Sequence, residues 1–321
     1  MVSFSIIIVT HDREKLLSKC LDSLRQVQSN WQLVLVANGK ELSQEILDKT
    51  SSISNNVTIL KTESQLTPGK ARNLAIDSCQ NDWIYFLDDD AYVLPGYWDI
   101  LFPLLEETKI DVLGGPDRAA TGMNFIGESL ALALSSPLCS GTTFTRHKSL
   151  GKKLIEANEE KLTSCNLWIR RSALGALRFP EDFLRAEETV LLQNLHLDGK
   201  KMFYHPKLIV GHHRRDKLKQ ILRPSFLAGL YRSKTMKMVP KSSNSIFWLP
   251  SVFVLMHTIY FLDPFIFWYF ARMYVGLILF MSLAITSKER RMVLFPAVAF
   301  LHYLIVFLYG IGFLFEKVRK S

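Results

Sequence analysis

Three consecutive carboxylates, Asp88, Asp89 and Asp90, follow directly on five apolar residues, Trp83 to Leu87. Like charges this close raise one another's pKa, and a divalent cation relieves the crowding, since oxygen ligands suit Mg²⁺ and Mn²⁺. A solvated acidic turn is the alternative for this stretch. A second acidic pair, Glu187-Glu188, sits in an apolar-periodic run over 184–197. At about 100° per residue, Leu184, Leu191, Leu192 and Leu195 share one face, Glu188 falls within it and Glu187 lies at its edge. A carboxylate on the core side of a helix costs free energy unless it is paired or put to use. The helix dipole near an N-terminus offsets part of that cost. Such an acid can act as a general base or merely cap the first turn. Lys70 and Arg72 follow the turn Thr67-Pro68-Gly69, where a helix start can receive an anion such as a diphosphate, or simply carry a surface basic pair. His212 follows a late strand and is either a metal ligand, a phosphate contact or a structural histidine.

These groups need elements to hold them. Trp83 to Leu87 is an unbroken apolar run and reads as a strand buried on both faces, with the acids at its carboxyl end, where open α/β sheets bind ligands. Strands are expected at 4–9, 32–37, 57–60, 111–114, 165–169 and 208–210. Helical spacing at Leu16, Leu17, Cys20, Leu21 and Leu24 follows the first strand. Strand, helix, strand at this spacing predicts βαβ units and a mainly parallel sheet. Residues 125–134 suit a helix, and Ser135 to Lys148 reads as a loop near the site.

The chain has 321 residues and a net charge of +9. Its four cysteines form no CxxC pair, which argues against zinc and offers no disulfide framework; reduced thiols in a cytosol-facing domain fit. The N-terminus lacks a basic leader region, so its apolar run reads as a first strand rather than a signal peptide. Arg214, Arg215, Lys217, Lys219, Arg223, Arg232, Lys234 and Lys237 lie between Lys207 and Lys241 with Asp216 the only acid. A basic stretch just before apolar helices fits the positive-inside rule and anionic lipid. No nucleic-acid-binding motif accompanies it, so membrane lipid and not nucleic acid is the expected partner. Apolar stretches follow at 246–262, 265–285 and 292–315; the last two have the roughly 20 residues a span needs. The expected organisation is a domain over 1–220, a basic juxtamembrane segment over 221–245, and a membrane domain of two or three helices over 246–315.

Ser5 to Arg13, Gly69 to Asn73, Phe86 to Asp90, Asn166 to Ser172, Glu187-Glu188 with Leu191, and His212-His213-Arg214 resemble, in order and spacing, the family 2 glycosyltransferases. The resemblance covers roughly residues 1–220. It implies a GT-A fold, an inverting mechanism, a nucleotide-sugar donor and a divalent metal, Mg²⁺ or Mn²⁺. Carried over by position, Thr10 and His11 form the first nucleotide-binding turn and Arg72 is the diphosphate-side arginine. Asp88 and Asp90 match the ends of the DxD signature, Asp90 as the direct metal ligand, with Asp89 on the nucleotide sugar and His212 completing the metal shell. Glu188 takes the place of the acid that deprotonates the acceptor, beside Glu187, although the family more often has Glu-Asp there. Ala37 stands where the family commonly has the base-reading Asp, leaving Asn38 nearby. Gly114-Gly115-Pro116 and Ser135-Ser136-Pro137 resemble the succinoglycan-type exopolysaccharide branch. The implied protein is a multi-pass cell-membrane enzyme with a cytoplasmic catalytic domain and a lipid-linked or glycan acceptor. A nucleotidyl- or phosphotransferase and a non-catalytic membrane scaffold are the competing readings.

Overall fold

The structure, a computed structural model, describes residues 2–27, 31–240, 244–259 and 263–319. Lys241 and the end of the first apolar stretch, 260–262, lie outside the described residues. The chain divides into two compact units, one of residues 1–120 with 148–213 and the other of 121–147 with 214–321. Residues 121–147 therefore group with the C-terminal helices and not with the segments that flank them in sequence.

In the first unit the strands are β1 (Phe4–Thr10), β2 (Trp31–Asn38), β3 (Asn56–Thr62), β4 (Trp83–Leu87), β5 (Ala91–Val93), β6 (Val112–Gly114), β7 (Asp117–Ala119), β8 (Ile155–Glu156), β9 (Asn166–Arg170), β10 (Met202–Tyr204) and β11 (Val210–His212). An eight-stranded sheet runs in the order β3-β2-β1-β4-β9-β6-β10-β8. Its first four strands are mutually parallel, as the βαβ spacing predicts, with Ile6 opposite both Leu33 and Tyr85. The sheet is nevertheless mixed, because β9 inserts antiparallel between β4 and β6. All five residues of β4 are buried.

Helices cover both faces. Leu17 and Leu21 of α1 (Glu14–Leu24) and Leu101 and Leu105 of α4 (Tyr97–Glu106) join one apolar cluster with Phe4, Tyr85 and Trp168. Ala71 and Ala75 of α3 (Pro68–Ile76) and Leu191, Leu192 and Leu195 of α8 (Glu187–Leu197) join the other with Ile84 and Phe86. Helix α2 (Gln44–Ile53) is capped by Ser43, and α7 (Arg171–Leu174) is a single turn after β9. Helix α8 starts at Glu187, three residues later than the leucine spacing predicts, because Ala186 is left-handed (φ 60°); Leu184 is exposed outside it. The rest of α8 is buried nearly all round, which a one-stripe reading does not anticipate.

A buried polar network fixes β9. Asn166 Oδ1 accepts from Tyr85 and Tyr97 hydroxyls at 3.2 and 2.6 Å, its Nδ2 donates to the Leu208 carbonyl at 2.7 Å, and Trp168 Nε1 donates to Tyr97 at 2.9 Å. Leu208 is thereby held where the chain turns into β11. A second, three-stranded sheet, β5-β11-β7, sits beyond it and carries His212 inside β11 rather than after a strand end.

The second unit contains α5 (Phe125–Leu134), α6 (Pro137–Ser140), α9 (Lys219–Met238), α10 (Leu249–Ile259), α11 (Pro264–Lys288) and α12 (Phe295–Val318). Ser135 to Lys148 is not a simple loop: Ser136 caps α6, and a 3-10 turn spans Gly141–Arg146. The basic segment is helical as α9, and two helical segments, Trp268–Lys288 and Met292–Val318, are long and apolar enough to cross a membrane.

All four cysteines are free thiols. Gly115 leads from β6 to β7 with space for no side chain: a Cβ there would lie 1.9 Å from the Leu208 carbonyl oxygen, backbone that Asn166 already holds. Gly115→Ala should therefore lower unfolding stability by about 1–3 kcal/mol, the usual cost of overpacking, measured by urea titration.

Candidate active site

The acids after β4 are not equivalent. Asp89 is fully buried, and its Oδ1 lies 2.6 Å from Arg13 Nη2. Burial pushes its carboxyl up to about 7, although Arg13 and the Thr10 hydroxyl favour the charged form. Asp88 and Asp90 keep some exposure, 29% and 14% of their side chains. Arg13, from the turn after β1, also pairs with Asp90 through its other terminal nitrogen. Burial works against the Arg13 charge, but Asp90 and Asp89 hold its pKa above the ordinary value. Asp89 thus pairs with Arg13 from inside the fold.

Arg72 joins the acids to α8. Its Nη2 lies 2.8 Å from Asp88 Oδ1, and its Nη1 pairs with Glu187 Oε1. The guanidinium is nine-tenths buried and also faces the Phe179 ring at 5.6 Å. Burial opposes its charge, and Glu187 and Asp88 more than offset that, raising its pKa. Burial likewise raises the pKa of Glu187, with Arg72 pulling the other way. Arg72, which the resemblance places on the diphosphate side, is engaged on both sides by carboxylates in this structure. Glu187 is taken up by Arg72, and Glu188, next in the first turn of α8, is 8% exposed.

The small sheet delivers His212. In β11, His212 lies opposite Ala91, next to Asp90, and the His213 N–H donates to the Asp90 carbonyl at 2.9 Å. His212 Nε2 is 3.2 Å from Asp90 Oδ1, and Nδ1 is 2.7 Å from Asp117 Oδ2. An ionised carboxylate only accepts, so Nδ1 is the donor to Asp117, which fixes the ring and turns Nε2 toward the acids.

Donor atoms of Asp88, Asp90 and His212 all lie within 4.8 Å of one another, as do those of Asp117, Cys165 and His212. The first set, two carboxylates and an imidazole, suits Mg²⁺ or Mn²⁺. The second includes a thiol, a soft donor less suited to either cation, and burial, helped by Asp117, pushes the Cys165 thiol up to about 11. The residues present fit a divalent cation at Asp88, Asp90 and His212.

Thr10 is buried beside Asp89, and His11 Nδ1 is 2.7 Å from the Asn38 carbonyl. The Asn38 side-chain amide donates to the Leu66 carbonyl at 3.1 Å and accepts from the Leu66 N–H at 2.7 Å, bracing the end of β2. Sequence reasoning missed Arg13 and Asp117, whose only signal was an arginine in the first turn and an acid after Gly114-Gly115-Pro116.

Two outcomes follow from this geometry. Arg72→Ala leaves Glu187 buried without its partner and should cost about 3–5 kcal/mol of stability in thermal or urea unfolding. Asp117→Asn keeps the shape of the side chain but loosens His212, and should weaken Mn²⁺ binding roughly 10–100-fold by calorimetry with the fold intact by circular dichroism.

The chain is similar to several known proteins. The family model described as Glycosyl transferase family 2 matches residues 5–178. A poly(ribitol-phosphate) beta-glucosyltransferase of Bacillus spizizenii is 30% identical over 213 residues, 63% of this chain and 30% of that protein. An uncharacterized glycosyltransferase of Haemophilus influenzae is 28% identical over 32% of this chain and 34% of its own length. The chain thus spans about a third of the length of these curated relatives. A mannosyltransferase from Pyrobaculum calidifontis, solved with GDP-Man and Mn²⁺, superposes with TM-score 0.60 at 11% identity, over 93% of this chain and 86% of that one. Residues 1–349 of TarS from S. aureus, with UDP-GlcNAc, give TM-score 0.58 at 15% identity over 98% and 92%. These two likenesses establish a shared fold. With more than half of its length matched and its acidic turn closing a GT-A type α/β sheet, this chain belongs to glycosyl transferase family 2.

Proposed function

We propose that the chain transfers a sugar, with inversion, from a nucleotide-sugar donor to a hydroxyl of a lipid-linked or polysaccharide acceptor, and that it works attached to a membrane with its catalytic unit on the cytoplasmic side. The observation that carries this reading is the bridge from Asp88 through Arg72 to Glu187, which ties a cation-binding turn to the helix bearing Glu188. Neighbouring structures solved with UDP-GlcNAc and GDP-Man support a nucleotide-sugar donor, and a relative named for poly(ribitol-phosphate) supports a polymeric acceptor.

Asp88, Asp90 and His212 hold the divalent cation, which supplies Lewis-acid stabilisation to the departing diphosphate. Thr10, His11 and the turn that follows border the donor's nucleotide. Asp89 and Arg13 keep Asp90 in place, and Arg72 keeps Asp88 in register with α8. Glu188 accepts the proton of the acceptor hydroxyl as that oxygen attacks the anomeric carbon from the face opposite the leaving nucleoside diphosphate. The end of β2, Ala37-Asn38, presents no carboxylate to a nucleobase. The exposed apolar surface of the second unit supports membrane attachment.

Purified full-length chain in detergent, given a panel of nucleotide sugars with Mg²⁺ or Mn²⁺, should release nucleotide. Glu188→Gln should lower turnover by roughly 10²–10⁴ while leaving donor binding and folding in place. Near-full transfer by Glu188→Gln would remove the base assignment.

A further inference from the structure

The surface of the second unit is divided by chemistry. On α10 and α11, Leu249, Leu255, Phe265, Trp268, Met273 and Phe280 point outward, Phe265 with 88% and Phe280 with 66% of its surface exposed. On α9, Lys219, Arg223, Lys234 and Lys237 occur with no acid anywhere in the helix. These two kinds of surface belong to one bundle, because α12 packs on α10, α11 and α9.

The contact between α9 and α12 is close. A Cβ at Gly229 would lie 1.9 Å from the Tyr309 carbonyl oxygen, and one at Gly312 would lie 2.0 Å from that of Phe226. Farther along, Lys237 Nζ is 3.2 Å from Glu316 Oε1, and Ile221 shares a cluster with Leu301 and Ile305. Helix α9 therefore runs beside α12 from about Leu301 to Glu316, and a hydrocarbon slab that takes in this part of α12 takes in α9 too. Between Arg223 and Lys234, α9 has ten residues. At roughly 1.5 Å per residue they cover about 15 Å, half of a hydrocarbon core of about 30 Å. Arg232, within that stretch, is buried over the Phe247 ring at 4.2 Å and does not face the surroundings. Helix α11 repeats the difficulty. Arg272 is exposed within the apolar stretch Trp268–Lys288, about 6 Å from its start, where a charge facing hydrocarbon is costly. Ser282 Oγ and His302 Nδ1, buried and 2.8 Å apart, tie α11 to α12, so the two cross together or not at all.

We propose that neither helix crosses, and that the second unit lies in a single leaflet of an anionic phospholipid membrane. Helices α10 and α11 sit in the upper acyl region, α9 faces headgroups and water, and Arg272 reaches back to the phosphates. At the turn between α11 and α12, Lys288 and Arg290 flank Glu289, and Arg291 pairs with Glu128 at 3.1 Å, so the turn keeps a net positive charge complementary to anionic headgroups. This replaces the multi-pass arrangement expected from the apolar stretches, and it rests on the membrane attachment proposed above.

Sidedness decides it. Sealed vesicles of known orientation carry the full chain in a Cys139→Ser background, the other three cysteines being buried. Each chain has one added thiol: Lys152→Cys on the catalytic unit, Lys288→Cys before α12, or Arg319→Cys after it. A membrane-impermeant maleimide should label all three from the same face. Labelling of Lys288→Cys or Arg319→Cys only from the face opposite Lys152→Cys overturns the proposal while leaving membrane attachment standing. In flotation with phosphatidylcholine and phosphatidylglycerol vesicles, Phe265→Asp with Phe280→Asp should lower the bound fraction about tenfold or more. Unchanged flotation of that variant overturns the lipid-facing role of α11. If the unmodified chain itself does not float, the attachment reading falls and the leaflet proposal with it.

Discussion

The pairing of Arg72 with both Asp88 and Glu187 is the constraint on which the first unit depends. A guanidinium with this little exposure is stable only because two carboxylates share it, and each of those carboxylates is held near an acidic turn or in a buried helix start only because Arg72 is there. Its planar fork matters, since one end serves β4's terminus and the other serves α8. Arg13 repeats the arrangement one residue further on, between Asp89 and Asp90. Two arginines from different turns thus convert a run of mutually repelling acids into a shaped surface with Asp88 and Asp90 at its rim.

The geometry of His212 follows from a different cause, backbone pairing. Strand β11 is antiparallel to β5 and parallel to β7, so it brings His212 alongside Asp90 and Asp117 at once, although both are far away in sequence. Of the three non-glycine residues in left-handed conformation among the described residues, Asp12, Ala186 and Arg290, two border the site, Asp12 in the turn that carries Arg13 and Ala186 directly before Glu187. Such conformations persist where surrounding contacts over-determine them, and here both flank a charged pair that fixes the site.

The second unit shows the same economy with a different balance of forces. Much of the exposed apolar surface lies on α10 and α11, while α9 carries cations and no acid. Glycines at 229 and 312 allow α9 and α12 to approach closely, and this intimacy makes the charge of one helix bear on where the other can go.

The sequence by itself determined the local features. An apolar run ending in acids dictated a buried strand with carboxylates at its tip, and the βαβ spacing dictated the parallel half of the sheet. The helix over 125–134 was also expected from the sequence. The motifs from Ser5 to His212 were enough to indicate the family. What only the tertiary structure decided was which charges meet. Arg13 with Asp89, Arg72 with Glu187, and Asp117 with His212 are separated by 76, 115 and 95 positions, and no local propensity encodes such pairs. The mixed sheet, the late start of α8 and the inward turn of Asn38 belong to the same class. The first goes with the polar network around Asn166, the second with the left-handed Ala186 and the third with the Leu66 backbone. Periodicity reports which face of an element is buried; it is the packing of remote elements that determines what that face is buried against.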